Sequence, residues 1–113
     1  MDRFETALED FRAAADETVK AHFAREGYTF AIPFVEITSI GKKNAKLVRA
    51  ESDPKTGERF PNGSVLAFVS IETGDIFMPA GYSRPAKHAR GSIYENRGVG
   101  ALTESGSIRY LRG

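Results

Sequence analysis

Apolar residues recur every three or four positions at the start of the chain. Phe4, Leu8, Phe11, Ala15, Val19 and Phe23 fall on one stripe of a 3.6-residue period, which predicts an amphipathic helix over residues 3–25. Asp2, followed three positions later by Glu5, resembles a capping box with Asp in place of Ser or Thr. Acidic residues fill the early turns, Lys20 and Arg25 stand in the later ones, and Gly27 is a natural stop. The stripe suits a helix that covers a sheet. Ala13, Ala14, Ala15 and Ala21 would also let a second backbone approach closely, so a homo-oligomer formed through helix 3–25 is a compatible reading.

After Gly27 the period changes to two. Residues 28–32 are apolar and β-branched, and Pro33 makes them an edge or entry segment. Along 34–40, Phe34, Glu36, Thr38 and Ile40 fall on one side and Val35, Ile37 and Ser39 on the other, as in a strand. Gly41, Lys42, Lys43 and Asn44 make a hairpin turn, more plausibly solvated than a binding site. Residues 45–51 read as the partner strand, with Leu47 and Arg49 facing away from Lys46, Val48 and Ala50. Asp53-Pro54, Thr56-Gly57 and Pro61-Asn62-Gly63 mark 52–63 as loop. Residues 64–71 form the most hydrophobic strand, buried on both faces. A turn at 72–75, with Gly74 placed for a positive φ, returns the chain into a short strand at 76–78.

Residues 95–106 are Gly-rich and read as a flexible loop or cover. Residues 107–111 close the chain as a last strand, with Ile108 and Tyr110 on one side. The expected fold class is α+β: a single domain over 1–113, with an N-terminal amphipathic helix followed by a mostly antiparallel sheet of about five strands.

Length and composition fit one soluble domain with one modest core. No apolar run approaches the roughly 20 residues that span a bilayer, and a charged N-terminus from Asp2 onward is no secretory signal. The chain has no cysteine, which removes disulfides, thiolate metal sites and cysteine nucleophiles together. A cytoplasmic setting, with no membrane partner, is the expectation. Charge is uneven. Residues 1–26 hold four Lys/Arg against seven Asp/Glu, whereas residues 76–113 hold six against two. An anionic partner is therefore expected at the basic last third, with a plain solubilising surface as the alternative.

That third contains residues 74–94, GDIFMPAGYSRPAKHARGSIY. Four nitrogenous side chains (Arg84, Lys87, His88, Arg90), the hydroxyl of Ser92 and two tyrosines (Tyr82, Tyr94) lie close together in sequence. Rings that stack and guanidinium forks that bond oxyanions in pairs suit a phosphate-bearing ligand. Pro85 can open a short helix over 86–89 capped by Ser83, whose backbone N–H groups would face the space near Tyr82 and Arg84. Arg84 and His88 would then share a face, and so would Lys87 and Arg90. Arg109 and Arg112 reach this site only if the last strand pairs beside 76–78. The alternative is that the two tyrosines are core-edge rings and the cations are solvated.

Catalysis has little to work with. His22 and His88 are isolated, and no carboxylate stands near either at a ligand spacing, so no metal is expected. Ser83 or Ser92 with His88 lacks a nucleophile elbow, and neither a phosphate-binding Gly-Lys-Ser/Thr loop nor a dinucleotide fingerprint occurs. No cofactor is expected, and a binding protein is favoured over an enzyme.

Residues 74–94 resemble a motif of small bacteriophage proteins. In these, a T-G-D-I/V hairpin leads into K-P-A plus an aromatic, then P-A-K-H-A-R-G-N-I. Met78 stands here where a lysine is common and Ser92 where an asparagine is common. The layout is similar to the Thoeris anti-defence sponge family, whose members bind and sequester cyclic ADP-ribose-type signals, and in some cases cyclic oligonucleotides, as dimers or larger assemblies. The resemblance implies a non-catalytic sponge in the infected cell that holds an anionic nucleotide between subunits. It would put Tyr82 at the family's aromatic, Ser92 at its asparagine, and Arg109, with Arg112 as a second, at its late arginines. A hydroxyl at position 92 supplies only part of what an amide does. The same Tyr and Arg groups would also suit a single-stranded nucleic-acid or polyanion binder; a virion assembly protein, its helix an oligomer seam, is the third reading.

Overall fold

In the computed structural model, which describes residues 2–61 and 63–110, the chain is α+β. Helix α1 (Arg3–Glu26) is followed by β1 (Ile32–Ile40), β2 (Asn44–Ser52), β3 (Ser64–Ser70), β4 (Asp75–Pro79) and β5 (Pro85–Ser92). The strands form one sheet in the order β1-β2-β3-β4-β5, each pair antiparallel. Among the described residues no helix is long and apolar enough to cross a membrane.

Helix α1 starts and stops where its sequence dictates. The Asp2 carboxylate accepts the Glu5 backbone N–H at 2.8 Å, satisfying one of the donors that a first turn leaves open. Gly27, at φ 70°, closes the other end with its N–H on the Ala24 and Phe23 carbonyls. Leu8, Phe11, Ala15, Val19 and Phe23 are buried against Val35, Ala45, Leu47, Ala67, Val69 and Ile76. Ala15 is spent in this packing, Ala14 is also buried, Ala13 is half-buried, and Ala21 is exposed.

Period-two alternation assigns the faces. Ala45 and Leu47 point into the core under α1, so Asn44, Lys46 and Val48 point to the opposite face. Irregularities in the pairing modify that pattern. Thr38 has no partner between the pairs Ile37/Leu47 and Ser39/Lys46, so the expected alternation along 34–40 breaks there. Leu66 is the extra residue between the pairs Leu47/Ala67 and Val48/Val65, so Leu66 and Ala67 both reach the core. Arg90 is extra between the pairs Ile76/Gly91 and Phe77/Ala89.

The last third departs from expectation. Residues 85–92 are the fifth strand; the short helix expected over 86–89 does not form, and Ser83 caps nothing. Pairing with β4 uses backbone groups that a single isolated helical turn would leave to water. The expected last strand, over its described part 107–110, is reduced to one bridge between Ile108 and Leu102. The Gly-rich run is a cover: Asn96–Ala101 forms 3-10 turns broken at Arg97 and Gly98. Gly98, at φ 74°, lies so close to the core that a Cβ there would fall 2.5 Å from Phe11 Cδ1. Only glycine fits both the backbone angle and the space.

Candidate functional site

The fifth strand splits the residues that sequence places together. Arg90 belongs to the side that carries α1 and the C-terminal segment. Its Nε donates to the Arg109 carbonyl at 2.9 Å, its Nη1 to the His88 carbonyl at 2.7 Å, and its Nη2 faces Met78 Sδ at 4.0 Å. Arg90 and Arg109 are thus brought together, but through a backbone carbonyl that the guanidinium ties down. The Arg109 N–H in turn bonds the Ala101 carbonyl. Arg112 lies outside the described residues. Ser92 Oγ accepts the Tyr94 N–H at 3.1 Å, a local turn contact, and the Arg3 guanidinium lies 4.1 Å from the Tyr94 ring centroid. That ring serves the end of α1.

Tyr82 is on the other face. The turn 80–84, closed by the Ala80 N–H on the Arg84 carbonyl, lifts it over β2. Its ring is 77% exposed, and Lys46 Nζ sits 3.5 Å from the ring centroid. One face of the ring therefore carries a cation–π contact and the rest meets solvent. Arg84 and His88 are exposed beside it in sequence. On the far side of Tyr82 a shallow cavity of ≈ 240 Å³ runs to Phe60 and Arg59. Arg59 is held by an ion pair to Glu36 and by the Phe34 ring, 5.5 Å from its Cζ.

Lys87 is drawn to the hairpin end of the sheet, where it shares an open groove of ≈ 750 Å³ with Lys42 and Lys43. Sequence reading assigned Lys42 and Lys43 to a solvated turn. What it missed is non-local: β5 pairs at the opposite edge of β4 and carries Lys87 to the same groove. A basic turn followed much later by a second basic segment was the available signal, and nothing in spacing alone says that the two meet.

From the groove through Lys46 and Tyr82 to Arg59 and Phe34, the face remote from α1 is therefore basic and aromatic. It offers ring surfaces, ammonium groups and guanidinium groups. Among the described residues no group of three or more His, Cys, Asp or Glu is placed to hold a metal ion.

No curated protein and no solved structure matches the chain. A family model does match, over residues 4–111 and so nearly the whole length. The protein belongs to that family, DUF7717, a family of unknown function.

Proposed function

We propose that the protein is a non-catalytic binder that sequesters a small anionic nucleotide, the role its resemblance to the anti-defence sponges implies. The observation that carries the reading is Tyr82: a large ring left 77% exposed on a face supplied with cations. An exposed aromatic beside positive charge is what stacking on a base and pairing with its phosphates require. Tyr82 would take the base, and Arg84, Lys87 and His88 would face the phosphates. Arg90 would act indirectly, by fixing the segment that carries Arg109. The reading includes a homo-oligomer in the cytoplasm of the infected cell, with a neighbouring copy closing a site that is open on one side here.

Isothermal titration with cyclic ADP-ribose isomers and cyclic oligonucleotides tests it. Saturable heat with one of them, lost in Tyr82→Ala, is the expected result; no heat with any would refute the reading. The extended, linear arrangement of the basic and aromatic groups favours one rival, a single-stranded nucleic-acid binder. That rival requires affinity for oligonucleotides that falls steeply as salt rises, whereas a compact ligand with few charges gives a shallow dependence.

A further inference from the structure

We propose that the groove lined by Lys42, Lys43 and Lys87 is a phosphoryl-binding subsite. Its pairing with a base at Tyr82 rests on the nucleotide-binder reading; the anion site itself does not.

The three lysines come from separate parts of the chain, two from the β1–β2 turn and one from β5, and they line one groove of ≈ 750 Å³. Glu72 and Asp75 line it as well. Even so, among the described residues none of the three ammonium groups has a carboxylate within ion-pair distance. Three lysines against two carboxylates, with no ion pair between them, leave the lining net positive, which favours an incoming anion.

Hydroxyl groups on the rim reinforce this. Ser70 Oγ accepts the Thr73 N–H at 3.2 Å, and Thr73 Oγ1 accepts the Asp75 N–H at 3.2 Å. With a lone pair of each oxygen engaged by backbone, each O–H proton is free to donate outward. Ile71, Phe77 and Pro85 supply an apolar wall, so the groove combines a few polar groups with apolar surface, as small-molecule sites do.

Its position links it to Tyr82. Asn44 lines the groove, and Lys46, two residues along the same strand and on the same face, caps the Tyr82 ring. Two residues of strand span about 7 Å, a short step from a phosphate subsite to a base subsite. The ligand class is then a nucleotide that carries a phosphoryl group distal to its base.

The test uses the full chain at low salt with pyrophosphate as the probe, followed by titration calorimetry. Saturable binding is expected, weakened roughly fivefold by each of Lys42→Gln, Lys43→Gln and Lys87→Gln and unchanged by Lys55→Gln, which removes the same charge elsewhere. Circular dichroism confirms that each variant is folded. No pyrophosphate binding, or equal weakening by Lys55→Gln, overturns the subsite. If a nucleotide binds and Tyr82→Ala abolishes it while the groove variants leave it unchanged, the subsite fails and the binder reading stands. Pyrophosphate binding with no nucleotide bound gives the reverse.

Discussion

On the α1 side, Glu9, Arg12, Asp16 and Lys20 form one chain of ion pairs along the helix, and it also grips the sheet. Asp16 Oδ1 accepts the Val35 N–H at 2.9 Å, and Arg12 Nη1 donates to the Val35 carbonyl at 3.0 Å. On the opposite face Lys42, Lys43, Arg84 and Lys87 are exposed cations with no ion pair among the described residues. The contrast separates charge that builds the fold from charge left available. Val35 points its peptide groups off the free edge of β1, and Pro33, two residues back, has no N–H to offer. The helix and the proline therefore close an edge that would otherwise invite another strand. At the other edge, Pro85, the Arg90 bulge and exposed Lys87 serve the same end, so part of the basic character of β5 is protective.

Emptying the buried side is the strongest way to test that division. Phe11 is fully buried, and its ring fills the space that a Cβ on Gly98 would need. Phe11→Ala should lower the unfolding free energy by about 3–5 kcal/mol, read from urea denaturation. Pyrophosphate affinity of the folded fraction should not change. A cost under about 1 kcal/mol would mean that the helix stripe is not what holds the sheet.

The legible parts of the chain were those ruled by local pattern. Phe4 to Phe23 gave the helix because the 3.6-residue period and the Asp2 cap agree, and the first four strands emerged from alternation and turn chemistry. Residues 85–92 were opaque because Pro-Ala-Lys-His-Ala-Arg carries helix formers and no β-branched residue. They are a strand because β4 offers an unpaired edge, which is a tertiary fact. The Gly-rich run was legible as a loop or cover, but the choice between the two was not: the value of Gly98 lies in its closeness to Phe11. Tyr82 was found as a candidate from composition, but its partner Lys46 belongs to β2, far away in sequence.

The edge clamp gives an intermediate effect. Asp16→Ala leaves the Val35 N–H without its acceptor and Lys20 without its ion-pair partner, while Arg12 keeps Glu9 and the Val35 carbonyl, at a cost of about 1–3 kcal/mol for a half-buried donor. Asp16→Asn keeps an oxygen acceptor and should recover part of the loss. Sedimentation at rising concentration should also show more self-association for Asp16→Ala than for Asp16→Asn, because an opened edge pairs with other chains. If the two substitutions behave alike, the carboxylate acts only through its helix ion pairs and the clamp is incidental.

The smallest expected change in stability is on the remote face. Lys42, Lys43 and Lys87 hold no carboxylate and cover no core residue, so Lys42→Gln, Lys43→Gln and Lys87→Gln combined should leave the unfolding free energy within about 0.5 kcal/mol of wild type. A slight gain is the more informative sign, because it would report relief of like-charge repulsion that the native chain tolerates. The gain should shrink as salt is added, since exposed charges are screened over about 10 Å at 0.1 M. A loss above about 1 kcal/mol would instead show that these lysines support the β1–β2 turn. The face opposite α1 would then be structural like the other, and its unpaired cations would need no ligand to account for them.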